Sequence, residues 1–151
     1  MSTIAINLPE KAAIPFRWLQ QHYRIDDLLR EQDEMPEQIS DIEREIANWE
    51  ASARESRQRL TEIEAYTKAA VAAEMDEKGK PAFSSEDKRK TEATRRLSED
   101  PEARQVQADI RRFEEAIVNA RVDLDHLSRQ WQALRRKLEV ISAIILAISG
   151  R

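Results

Sequence analysis

Between Val106 and Ile148 apolar residues recur at steps of four and three that alternate without a miss: Val106, Ile110, Phe113, Ile117, Ala120, Leu124, Leu127, Trp131, Leu134, Leu138, Ile141, Ile145 and Ile148. Six heptads fit in that interval, beyond the three or four that mark a coiled-coil seam. An α-helix turns every 3.6 residues, so this period holds all the apolar side chains on one narrow stripe. Asp109, Arg111, Arg112, Glu114, Glu115, Asp123, Arg129, Arg135 and Arg136 fill the positions between, as a solvated helix surface requires. A strand, with its period of two, cannot use this pattern.

The first half of the chain repeats the alternation through Ile39, Ile42, Ile46, Trp49, Ala53, Ser56, Leu60, Ile63, Thr67 and Ala70. Trp18, Ile25, Leu28 and Met35 carry the same seam backwards, over a helical stretch from Pro15 to Arg30. Pro36 predicts that the first helix begins or bends there, because proline has no amide donor and crowds the preceding turn. Ala69, Ala70, Ala72 and Ala73 would let a neighbouring helix come close. The helix is expected to stop near Met75 or Asp76, ahead of Gly79 and Pro81.

Helix signals resume at once. Ser84 with Asp87 resembles a capping box, and Asp100-Pro101 offers a second cap and a first-turn proline. Ser85 to Leu97 therefore reads either as a short helix of its own or as the front of one long kinked helix. The expected fold is all-α: a long antiparallel helical hairpin whose tip is residues 76–85, with the first arm kinked near Pro36 and a possible second kink near Pro101. Residue x should then face roughly residue 160 − x, since both arms rise about 1.5 Å per residue. Residues 15–149 form one elongated domain in this reading. Residues 1–14, in which Ile4, Ile6 and Leu8 alternate, read as a tail or a short strand.

Composition agrees with this architecture and narrows the chemistry. Charged residues make up 36% of the 151 and aromatics 5%, with 2 Gly in all, which is the balance of long helices. Two glycines, Gly79 and Gly150, cannot write a dinucleotide fingerprint or a P-loop. With no Cys, disulfides, thiolate metal sites and cysteine nucleophiles are excluded together. His126 follows Asp123 by three residues but His22 has no matching acid, so neither a metal site nor a cofactor is expected. No Ser/His/Asp set can be drawn from spacing, and Glu43, Glu45, Glu50 and Glu55 read as a solvated face. The expectation is a protein that is not an enzyme. The opening MSTIAINLPEKAAIP lacks a signal-peptide pattern, and the apolar window Leu138 to Ile148 is shorter than the roughly 20 residues a bilayer span needs. A soluble, cytoplasmic protein without membrane contact is expected.

Two surfaces remain that a two-helix hairpin does not use. In LEVISAIILAIS, Val140, Ile144 and Leu146 stand beside the seam residues Leu138, Ile141, Ile145 and Ile148, making the helix apolar almost all round. These seven residues are the expected interface of a homo-oligomer. The other surface is the tip. The net charge is −4, yet between Lys78 and Arg96 seven basic residues stand against Glu86, Asp87 and Glu92. Lys78, Lys80, Lys88, Arg89, Lys90, Arg95 and Arg96 could hold phosphates, and Phe83 could stack on an exposed base.

The stretch DEKGKPAFSSEDKRKTEATRRLSEDPEARQVQADIRRFEEAI, followed by the Leu/Trp seam to Leu138, resembles small uncharacterised helical-hairpin proteins of bacteriophages and mobile elements, often encoded beside single-strand-binding or strand-annealing genes. The resemblance covers roughly Glu37 to Leu138. It implies a non-enzymatic accessory in DNA recombination or replication, and it carries over no catalytic residue. The expected partner of the tip is single-stranded DNA or a DNA-bound protein. The competing expectation is a scaffold or chaperone that works through the apolar C-terminal surface without nucleic acid.

Overall fold

The structure, a computed structural model, describes residues 16–148. Four helices account for nearly all of them: α1 (Phe16–Tyr23), α2 (Ile25–Ala73), α3 (Glu86–Glu99) and α4 (Pro101–Ile148). The sole strand-like feature among the described residues is one antiparallel bridge between Met75 and Pro81. The fold is all-α. The alternating Ile4/Ile6/Leu8 segment lies outside the described residues. No helix among them is long and apolar enough to cross a membrane.

The chain gathers into two compact units, one built from the stretch up to Ser40 together with Asp125 onwards, the other from Asp41–Leu124. In the second, contacts between α2 and the later helices run antiparallel. Trp49 stacks on Phe113 with ring centroids 5.8 Å apart, Arg59 pairs with Glu102, Arg57 with Glu114 and Arg121 with Glu50. Residue 59 meets 102 and 49 meets 113, close to the expected facing. Residue 57, expected opposite 103, instead reaches Glu114, so the pairs together place the register a few residues further along α4. These ion pairs are well exposed, and such pairs contribute about 0–1 kcal/mol each. They set register more than stability.

Burial follows the α4 heptads closely. Every seam residue from Val106 to Ile148 is buried or half-buried. On α2 the stripe holds from Ile39 to Thr67 and then steps to Val71, which is 1% exposed, while Ala70 faces solvent. Ala69, Ala72 and Ala73 are exposed as well. The buried alanines are instead Ala53, Ala93, Ala103 and Ala120. A buried alanine admits a nearer neighbour than a larger side chain would.

In the first unit, Leu28, Leu134 and Ile141 form a buried cluster against which Tyr23, Ile25, Met35, Leu138 and Ile145 pack. Residues 23–35 thus cover α4 of their own chain. The helix does not begin at Pro36, which lies inside α2. The break falls at Arg24, whose φ of 49° is left-handed. Its carbonyl accepts the amides of Asp27 and Leu28, starting α2, while its guanidinium bonds Asp27 at 2.8 Å. A left-handed residue rotates the face that follows it. This explains why Leu19 is buried while Trp18, the seam residue expected from a continuous helix, is 48% exposed.

Candidate nucleic-acid interface

Between α2 and α3 the chain makes a tight turn whose geometry follows from Asp76 and Gly79. The Gly79 amide donates to the Asp76 carbonyl (2.9 Å), and the Asp76 amide donates to the Lys80 carbonyl (2.7 Å). One carboxylate oxygen of Asp76 also accepts the amides of Lys78 (2.9 Å) and Lys80 (2.8 Å). Asp at the first position and a left-handed Gly at the fourth are the residues that a type I turn closed by a bulge prefers. Gly79 has a φ of +69°. The D-x-x-G spacing was the sequence signal for this turn. Beyond it, the Ala82 amide bonds the Glu74 carbonyl at 2.9 Å.

Because a Cβ on Gly79 would meet nothing within 4 Å, the cost of Gly79→Ala is conformational alone. Left-handed backbone costs an L-residue about 1–2 kcal/mol, partly offset by a stiffer unfolded chain. A net loss of about 1 kcal/mol is expected in urea unfolding, with Gly79→Asn losing less.

The α3 start is capped by Ser85, whose Oγ accepts the Lys88 amide at 3.3 Å. The cap is one residue later than the expected Ser84. Glu86 and Asp87 fill the first turn, where the helix dipole favours acids. At the far end of α3, Asp100 closes the helix and its carboxylate accepts the Glu102 amide at 2.8 Å, so α4 starts at Pro101.

The eight residues expected to bind nucleic acid fall into two groups. Arg95 and Arg96 are committed to acids: Arg95 pairs with Glu92 and Glu99 at 2.7 Å, and Arg96 with Glu92 at 2.7 Å and Glu74 at 2.5 Å. Arg96 also lies 6.0 Å from the ring centroid of Phe83, which is half-buried. Lys90 pairs with Glu86 at 3.0 Å. Lys78, Lys80, Lys88 and Arg89 form the second group. Their side chains make no ion pair among the described residues, and all but the half-buried Arg89 are exposed.

The hydrogen bonds from Arg95 and then Arg96 hold the Glu92 carboxyl down at about 2, against an ordinary 4.5. The same contacts raise both arginines. A depressed carboxyl stabilises the fold above its unfolded pKa, and that contribution disappears as pH falls from about 4.5 toward 2. Glu92→Gln should therefore melt below wild type at pH 7, and the gap should close by pH 2. A gap unchanged across that range would show that the Glu92 charge contributes nothing.

Comparison with family models, curated proteins and solved structures finds no match. The site must be judged on its own geometry. Among the described residues, no group of three or more His, Cys, Asp or Glu stands where it could hold a metal. Of the residues expected at an oligomer interface, Leu138, Ile141 and Ile145 are used inside the chain, in or against the Leu28/Leu134 cluster. Ile144 and Ile148 are half-buried, whereas Val140 and Leu146 are 59% and 52% exposed.

Proposed function

We propose that the protein is a non-catalytic helical accessory that contacts single-stranded DNA through the turn between α2 and α3. The observation that carries this reading is the set of four cations, Lys78, Lys80, Lys88 and Arg89, that have no carboxylate partner among the described residues and stand beside a turn stiffened by Asp76 and Gly79. In a chain of net charge −4, Glu86, Glu92 and Glu99 of α3 instead engage Lys90, Arg95 and Arg96, while Asp87 makes no ion pair among the described residues. Free cations release counterions from phosphates, and a turn held by its own hydrogen bonds presents them at little ordering cost. Because Phe83 is half-buried near Arg96, affinity comes from the backbone charge and is indifferent to base sequence. The setting implied by the resemblance, recombination or replication of phage or mobile-element DNA, suits such a contact. An anisotropy titration with labelled single-stranded and duplex DNA at low and moderate salt tests it. Absence of binding at low salt would sink the reading.

A further inference from the structure

In the first unit, α4 and the end of α1 border a shallow hollow of about 320 Å³ with an almost wholly apolar lining. Tyr23, Val140, Ile141 and Ile144 supply its floor, and Arg136 and Lys137 its edge. Val140 is more than half exposed. Neither basic side chain makes an ion pair among the described residues. The hollow thus combines uncovered apolar surface with two uncommitted positive charges.

The same unit carries a surface of opposite character. Leu29 is 46% exposed, and Asp26 and Asp33 lie three residues before and four after it on α2, which sets all three on one helix face. Both aspartates are exposed and make no ion pair among the described residues, in contrast to Asp27, which holds Arg24 and Arg30. An apolar knob between two acids complements an apolar hollow edged by two bases, and charge of this kind selects a partner and fixes its register.

We infer that the occupant of this hollow is a second copy of the chain. Leu29 of one copy enters the hollow of the other, with Asp26 and Asp33 meeting Arg136 and Lys137. Both surfaces belong to every copy, so a two-fold axis satisfies both contacts at once and closes the assembly as a dimer. This inference stands apart from the DNA contact, since none of its residues is in the turn between α2 and α3.

Sedimentation velocity over a range of concentrations, without DNA, tests it. The wild type should reach twice its 17.5 kDa. Asp26→Lys/Asp33→Lys should be monomeric, and so should Arg136→Glu/Lys137→Glu. An equimolar mixture of the two variants should regain the doubled mass, because each reversed surface then faces its reversed complement. The milder pair Asp26→Asn/Asp33→Asn and Arg136→Gln/Lys137→Gln should shift the dimer toward monomer with unchanged circular dichroism. A wild type monomeric throughout, dimers that persist in the reversed variants, or a mixture that stays monomeric would each overturn the inference.

Discussion

Replacing Lys78, Lys80, Lys88 and Arg89 together by Glu should abolish single-stranded DNA binding, whereas replacing Arg95 and Arg96 by Gln should leave affinity near wild type. The two halves of this result come from one observation. The first four cations have no carboxylate partners among the described residues, while the last two are neutralised by Glu92, Glu99 and Glu74. With up to four phosphates engaged, the log–log salt slope on single strands should be about −3, so affinity should fall roughly fifty-fold between about 50 and 200 mM salt. The quadruple variant should keep its fold, because Lys88 and Arg89 occupy the first turn of α3, where acids are welcome. The Arg95/Arg96 variant should instead lose stability, since Arg96 bridges Glu74, just beyond α2, to α3. Equal DNA affinity in the quadruple variant and the wild type would refute the assignment.

Ala103→Leu should produce the largest loss of stability among conservative changes. Ala103 is 0% exposed, and Ala53, Ala93 and Ala120 are buried on the same set of helices. Ala103→Leu adds three carbons at a fully buried position, and overpacking of this kind costs about 1–3 kcal/mol. The control is Ala72→Leu on the exposed side of α2, which should stay within about 0.5 kcal/mol of wild type. Urea midpoints of the two variants compare them directly. If both changes prove silent, the surroundings of Ala103 are not tightly packed.

The apolar stripe of α4 was legible from composition and period alone. Helical periodicity is local: each seam residue from Val106 to Ile148 is placed by the turn of its own helix, whatever it packs against. Gly79 and Pro81 marked the turn for a similar reason, since a left-handed φ and a missing amide act on the chain where they stand. Asp100-Pro101 likewise marked the start of α4.

Long-range pairing had no such signature. A count of seven cations between Lys78 and Arg96 says nothing about which are spoken for, because Arg96 is claimed by Glu74, 22 residues away in sequence. Nothing local announces a left-handed Arg24, as arginine has no preference for that region. Its consequence, Leu19 in place of Trp18 on the buried side, depends on what packs against α1 in the folded chain. The buried alanines Ala53, Ala93, Ala103 and Ala120 were likewise indistinguishable from Ala69, Ala70, Ala72 and Ala73 until the folded chain chose among them. Heptads and turn residues are properties of the neighbouring few residues and can be read along the chain. Free charge, buried methyls and the phase across a helix break are properties of what lies opposite, and they exist only once the chain has folded.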